Sequence, residues 1–158
     1  MKFARTIRLD DSDENVFSRP AIVGEWAISG AFEFSDWNDS DLIGQKRQEF
    51  SNGWLGLETF GRASCVAVTR ITEREFEDLI EILSNHFVKF YGAPNVDIAK
   101  PIAEEEIKHM KSMCDDHSDN TLLVVSRELT DVGVHERFRF TTTQNASLDS
   151  FAVHGSVD

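Results

Sequence analysis

The most regular hydrophobic pattern in the chain lies between residues 72 and 91. It opens with Thr72-Glu73-Arg74-Glu75, in which the threonine and the second glutamate have the spacing of a helix capping box. Because Gly92-Ala93-Pro94 cannot continue a helix, we expect this one to end near Tyr91. Apolar residues recur on one face at intervals of three and four, and they are Phe76, Leu79, Ile80, Leu83, Phe87 and Phe90.

A second long helix is predicted to start at Pro101, because proline is favoured in the first turn of a helix. The glutamates at 104–106 suit the positive end of the helix dipole. A shorter helix is predicted from Asp41 to Phe50, ended by Asn52-Gly53. The apolar stripe of the second long helix consists of Ala103, Ile107, Met110 and Cys114, and residues 115–120 form the loop after it.

Alternating and β-branched residues predict strands over much of the remaining chain. The segment Glu25–Phe34 predicts two short strands or a hairpin, with Gly30 between its apolar pairs. The turn at residues 130–133 predicts a hairpin between the two strands on either side of it. The predicted strands outside Glu25–Phe34 are Lys2–Leu9, Arg62–Ile71, Thr121–Leu129, Val134–Thr142 and a short one at Ser147–Val153.

Together these elements predict a single α+β domain over residues 1–158, with an antiparallel or mixed sheet and two main helices packed on one face. One residue departs from the pattern. Arg5 shares a face of the first strand with Phe3 and Ile7. We expect it to form a buried or edge ion pair with a carboxylate.

The composition limits the classes of partner. Asp and Glu number 28 against 16 Lys and Arg, a formal charge of −12, which disfavours nucleic acid as a direct partner. The longest apolar runs have four residues, Cys65–Val68 and Leu122–Val125, whereas a membrane span needs about 20. The first residues contain no apolar core for a signal peptide, so we expect a cytoplasmic protein whose two cysteines are not joined in a disulfide.

The best candidate for a binding site is the strand around residue 137. Alternation places His135, Arg137 and Arg139 on one face, with Phe138 and Phe140 on the other. Three potential cations in a row are unusual in so acidic a chain, and arginine binds carboxylate and phosphate groups in a bidentate manner. The alternative, which we weigh more heavily, is that these side chains pair with acids on neighbouring strands or face water.

Two other segments are weaker candidates for a functional site. His109, Cys114 and His117 include metal-binding residue types, but three ligands from this segment would require a break in the helix. We therefore favour a buried cysteine with solvated histidines and assign no metal. The segment Asn52–Arg62 has glycines at 53, 56 and 61 but no phosphate-loop or dinucleotide spacing, and we interpret it as a turn and strand packed under Trp54 and Phe60.

Several segments together resemble a family of short bacterial proteins classed as a domain of unknown function. These are Met1–Asp10, Gly24–Trp26, Phe32–Phe34 and, most specifically, Phe50–Arg62. The resemblance covers most of the chain and carries no assigned activity or catalytic residue. It implies an accessory or assembly role beside molybdenum and iron–sulfur redox enzymes.

We therefore expect a non-catalytic cytoplasmic accessory protein that acts through protein–protein contacts. A homodimer is possible, because exposed strand edges commonly find a partner. The alternative is a small domain that binds a carboxylate or phosphate through His135, Arg137 and Arg139. An enzyme is the weakest reading, since the chain has no Gly-x-Ser-x-Gly elbow, and neither a catalytic residue nor a cofactor is assigned.

Overall fold

The protein has an α+β fold with two antiparallel sheets, as the computed structural model shows for residues 1–8 and 15–142. The predicted fold class is confirmed, whereas the short strand predicted at 147–153 lies outside the described residues. The strands are β1 (Lys2–Ile7), β2 (Ala27–Ile28), β3 (Trp54–Gly56), β4 (Arg62–Ala63), β5 (Cys65–Arg70), β6 (Leu122–Thr130) and β7 (Gly133–Thr141). The helices are α1 (Gly44–Asn52), α2 (Glu73–Phe90) and α3 (Val96–Asp115).

The larger sheet has the strand order β1-β5-β6-β7, with every neighbouring pair antiparallel. The predicted hairpin is confirmed: β6 and β7 pair from Leu122 opposite Thr141 to Thr130 opposite Gly133. The first strand pairs with β5 over its whole length, from Lys2 opposite Arg70 onward. The β6–β7 register fixes which side chains of the hairpin face the interior and which face outward.

The smaller sheet has the order β2-β3-β4 and is linked to β1 by a bridge between Arg5 and Trp26. The prediction of one strand over Arg62–Ile71 is therefore wrong at its start. Residues 62–63 pair with β3, whereas residues 65–70 pair with β1 and β6, so the chain passes between the sheets at Ser64. The expected ion pair of Arg5 is confirmed, with 3.7 Å between its guanidinium and the Glu75 carboxylate.

The segment Glu25–Phe34 forms one short strand rather than two. Gly30 adopts a left-handed backbone (φ 69°), and a 3-10 helix follows at Ala31–Phe34. A Cβ atom at Gly30 would lie 2.5 Å from Cβ of Leu55, so the chain turns there in close contact with β3. The apolar residues after Gly30 therefore belong to a tight turn and a 3-10 helix, not to a second strand.

Both long helices are present, and the start of the second was predicted wrongly. In α2 the side chain of Thr72 accepts a hydrogen bond from the Glu75 amide, and the Glu75 carboxylate accepts one from the Thr72 amide, which confirms the capping box. In α3 the cap is Asn95, whose side chain accepts from the Ile98 amide at 2.9 Å. Pro101 therefore lies inside the helix, because an asparagine cap already starts it one turn and a half earlier.

The core lies where α2 and α3 pack against each other and against the sheets. The predicted α3 stripe is confirmed, since Ala103, Ile107, Met110 and Cys114 are all buried. In α2 the stripe is buried from Phe76 to Phe87. Phe90 was predicted to belong to it, but this residue ends the helix and is 63% exposed, with Lys89 and His86 beside its ring.

Candidate functional site

The cationic residues predicted on β7 lie on the outer face of the hairpin. Cross-strand pairing puts Arg137 opposite Ser126 and His135 opposite Glu128. Together with Arg127 these residues line a shallow cavity of about 100 Å³. The structure thus brings His135 and Arg137 to one depression, on the same face as Arg139.

The electrostatics of this depression are mixed. Nδ1 of His135 lies 3.5 Å from a carboxylate oxygen of Glu128, and both side chains are more than half exposed. Arg139 already has an interaction partner. Arg137 is exposed and has no ion pair within the described residues. A carboxylate from the protein itself therefore occupies part of the place that a bound anion would need.

The inner face of the same hairpin contains an arginine that the sequence analysis did not single out. Arg127 is buried and bonds to the Glu136 carboxylate through Nε at 2.8 Å. Its other nitrogens donate to the carbonyl oxygens of Ser29, Phe50 and Gly53 at 2.6 to 2.9 Å. Strand alternation could have placed it there, because it continues the buried row of Leu123 and Val125.

Arg62 joins Arg127 in this buried cluster. Its guanidinium donates to the carbonyl oxygens of Ser29, Gly30 and Gly53 and pairs with the Glu33 carboxylate. Removal from water, together with the nearby charge of Arg62, lowers the pKa of Arg127 to about 10. Carbonyl oxygens and carboxylates from several segments of the chain satisfy both guanidinium groups, so we assign the cluster a structural role.

The glycine-rich segment 52–62 is packed as predicted. Residues Gly53 to Leu57 are all buried. The buried carboxylate of Glu25 accepts hydrogen bonds from the amides of Glu58 and Thr59 and from the Thr59 hydroxyl, at 2.6 to 2.9 Å. A Cβ atom at Gly56 would lie 2.5 Å from this carboxylate, so glycine is needed for the approach.

The three residues considered for metal binding are not brought together as a site. Cys114 is fully buried, and burial raises the pKa of its thiol to about 12. The His117 ring packs 4.1 Å from that of Phe140, while the His109 ring lies 6.3 Å from that of Phe138. Among residues 1–8 and 15–142, no three His, Cys, Asp or Glu side chains are placed to hold a metal ion.

The most distinctive exposed feature is an aromatic surface at the C-terminal end of α2. Its centre is a parallel stack of the Phe60 and His86 rings, with 3.7 Å between their centroids. Phe90 is 63% exposed and Tyr91 44% exposed, and both rings lie within 6 Å of His86. We define the aromatic surface as Phe32, Phe60, Ile82, His86, Phe90 and Tyr91.

Backbone geometry and burial hold this surface in place. Phe60 has a positive φ of 56°, an unfavourable conformation for a bulky residue, and its ring stacks on His86. Burial lowers the pKa of His86, an effect that nearby Glu33 opposes. Burial also raises the pKa of Tyr91. The sequence alone does not indicate this surface, because Phe60 and Phe90 come from segments 30 residues apart, although each is conspicuous in its own segment.

The fold defines an α+β protein built from a four-stranded and a three-stranded antiparallel sheet. Residues 1–158 match the model of a family of unknown function, DUF6505, and the chain belongs to that family. The resemblance to a domain of unknown function is thereby confirmed. No curated protein and no solved structure matches the chain. None of the described helices is long and apolar enough to cross a membrane.

Proposed function

We propose that this protein is a non-catalytic accessory or assembly protein that binds another protein through its aromatic surface. The observation that carries the proposal is the exposure of Phe90 and Tyr91 beside the Phe60–His86 stack. Exposed apolar patches with polar rims mark interaction sites, and aromatic residues are enriched at the centres of protein interfaces. A cytoplasmic location belongs to the same proposal, in agreement with the two free, buried cysteines.

A strained residue at the centre of the patch supports this assignment. Holding Phe60 at a positive φ costs free energy, of order 1 to 3 kcal/mol. Phe60 is only partly buried, so its packing contacts in the free protein offset only part of this free energy. Such strain is concentrated at ligand-binding and functional positions.

The experiment compares partners captured by the wild-type chain with those captured by two single variants, after gentle cross-linking in its own cells. Phe90→Ala removes the most exposed ring of the surface, and Val132→Ala removes an apolar side chain that is 98% exposed in the β6–β7 turn. We expect one partner to be lost with Phe90→Ala and kept with Val132→Ala. Equal capture by both variants, or no specific partner for the wild type, would contradict the proposal.

A second candidate is anion binding at His135, Arg137 and Arg139. It is favoured by the shared face of these residues and by the cavity that His135 and Arg137 line. We rank it lower because Glu128 already pairs with His135. Thermal unfolding with added phosphate or citrate tests it: a rise in Tm that disappears in Arg137→Ala would support an anion site, and no rise would eliminate it.

A further inference from the structure

Two exposed acidic side chains adjoin residues of the aromatic surface along the chain. The charge of Glu33 also acts on His86 and Tyr91, but its carboxylate is already paired with Arg62. Asp78 is exposed and lies one helical turn before Ile82. Glu58 is exposed two residues before Phe60. The apolar centre is therefore bordered by negative charge, which favours a partner that carries positive charge.

The surface already holds one cation against an aromatic ring. Nζ of Lys89 lies 5.3 Å from the centroid of the Phe90 ring, within the range of a cation–π contact. Because Phe90 remains 63% exposed, most of its ring stays available. A lysine or arginine from a partner can use the same chemistry.

A second copy of the chain fits this surface poorly. In a two-fold symmetric dimer the same patch meets itself. That arrangement would bring Glu58 and Asp78 of one copy toward the same two acids of the other, in a chain whose formal charge is −12. Like charges facing each other across an interface disfavour association.

We infer that the partner presents a basic segment with an apolar anchor, that is, a hydrophobic side chain flanked by lysine or arginine. The apolar side chain packs on Phe60, His86 and Phe90, and the basic groups face Asp78 and Glu58. This inference rests on the proposed function and specifies its partner by chemistry.

The test is a titration of the intact protein with three synthetic peptides of equal length. Binding is monitored by the NMR chemical shifts of the protein's backbone amides. One peptide contains leucine and lysine, the second leucine and glutamate, and the third serine and lysine. We expect only the leucine–lysine peptide to shift the amides of Ile82, His86, Phe90 and Tyr91. Its affinity should fall as salt is raised, because exposed charges are screened beyond about 8 Å at physiological ionic strength.

Single variants separate the apolar from the charged contribution. Phe90→Ala should weaken binding of the leucine–lysine peptide about tenfold, the effect of losing an aromatic anchor. Asp78→Asn should weaken it about two- to fivefold, as expected for an exposed ion pair. Val132→Ala and Asp131→Asn, both in the β6–β7 turn, are the matched controls and should leave the affinity unchanged.

Three results would overturn the inference. They are tighter binding of the leucine–glutamate peptide, an absence of shifts at the aromatic surface with the leucine–lysine peptide, and a dimer mass in solution that Phe90→Ala reduces to a monomer. The cross-linking comparison decides the broader proposal independently. If the Phe90-dependent partner had an acidic or purely apolar contact segment, the proposed function would stand. Only the inference that the partner is basic would be wrong.

Discussion

Arg62 and Arg127 place their guanidinium groups over the same ring, that of Phe34. The carbon atoms of the two guanidinium groups lie 4.5 and 5.2 Å from the centroid of the ring. Both arginines also donate to the carbonyl oxygens of Ser29 and Gly53. Two like charges can stay buried so close together because carbonyl groups, carboxylates and a ring face compensate for the lost water.

Replacing Arg127 by lysine should destabilise the protein by about 1 to 3 kcal/mol, the range for leaving buried hydrogen-bonding groups without a partner. A single ammonium cannot reach the carbonyl groups of Ser29, Phe50 and Gly53 and the Glu136 carboxylate together. Urea unfolding measures the loss. Arg70→Lys is the control, because the Arg70 side chain is 81% exposed and should change stability by no more than about 0.5 kcal/mol. Equal, small losses for both variants would show that the cluster is not structural.

The close approach of Gly56 to Glu25 makes a second prediction. Gly56→Ala should cost about 1 to 3 kcal/mol, because the new methyl group would lie 2.5 Å from a carboxylate oxygen. In a Glu25→Ala background the same change should reduce the free energy of unfolding much less, because the space beside Gly56 is open. In a Glu25→Gln background it should cause the full loss, because glutamine keeps the volume of the side chain. Urea unfolding of the single and double variants measures the coupling. Purely additive losses would mean that the clash is relieved elsewhere.

Local pattern was enough to predict the long elements of this fold. The capping box at Thr72, the α3 stripe ending at Cys114 and the β6–β7 hairpin each depend on neighbours a few residues apart. The wrong start of α3 has a local cause, the Asn95 cap, whereas the other failures arose where distant residues decide the structure. The strand from Arg62 divides because β3 is available to pair with its first two residues, and the chain turns at Gly30 against Leu55.

The candidate site was less predictable than the fold for the same reason. Alternation correctly grouped His135, Arg137 and Arg139, since one strand contains all three. The aromatic surface depends on contacts between Phe60 and α2, and between Phe32 and Tyr91, at 5.3 Å between centroids. A single sequence contains the residues of such a cluster but not their proximity.

Glu106 should make the protein less stable as the pH rises. Burial raises the pKa of its carboxyl, with Glu136 adding to the effect and His109 opposing it. The folded state therefore keeps the proton longer than the unfolded state, and its advantage is lost as the pH rises from the ordinary glutamate pKa through the raised one. Glu106→Gln should match the wild-type Tm near pH 4 and exceed it at pH 7.

An exposed glutamate on another helix provides the control for this effect. Glu77 on α2 is exposed, so Glu77→Gln should follow the wild-type Tm at both pH values. Thermal unfolding of the wild type and the two variants between pH 4 and pH 7 tests this prediction. If Glu106→Gln were less stable than the wild type at pH 7, the ionised carboxylate would be making a favourable contact that outweighs its burial.

The stacked histidine should produce the opposite dependence on pH. Burial lowers the pKa of His86, with Glu33 opposing the shift and Lys89 reinforcing it. Below the ordinary histidine pKa the unfolded state takes up a proton that the folded state resists, so this contribution to stability is lost as the pH falls through that window. His86→Phe keeps a ring against Phe60 but cannot titrate, so it should lose less stability than the wild type between pH 7.5 and pH 5. Val132→Ala, at a 98% exposed position in the β6–β7 turn, should leave the wild-type dependence in place. Urea unfolding at the two pH values measures both, and an unchanged slope in His86→Phe would mean that the stack accepts the proton without cost.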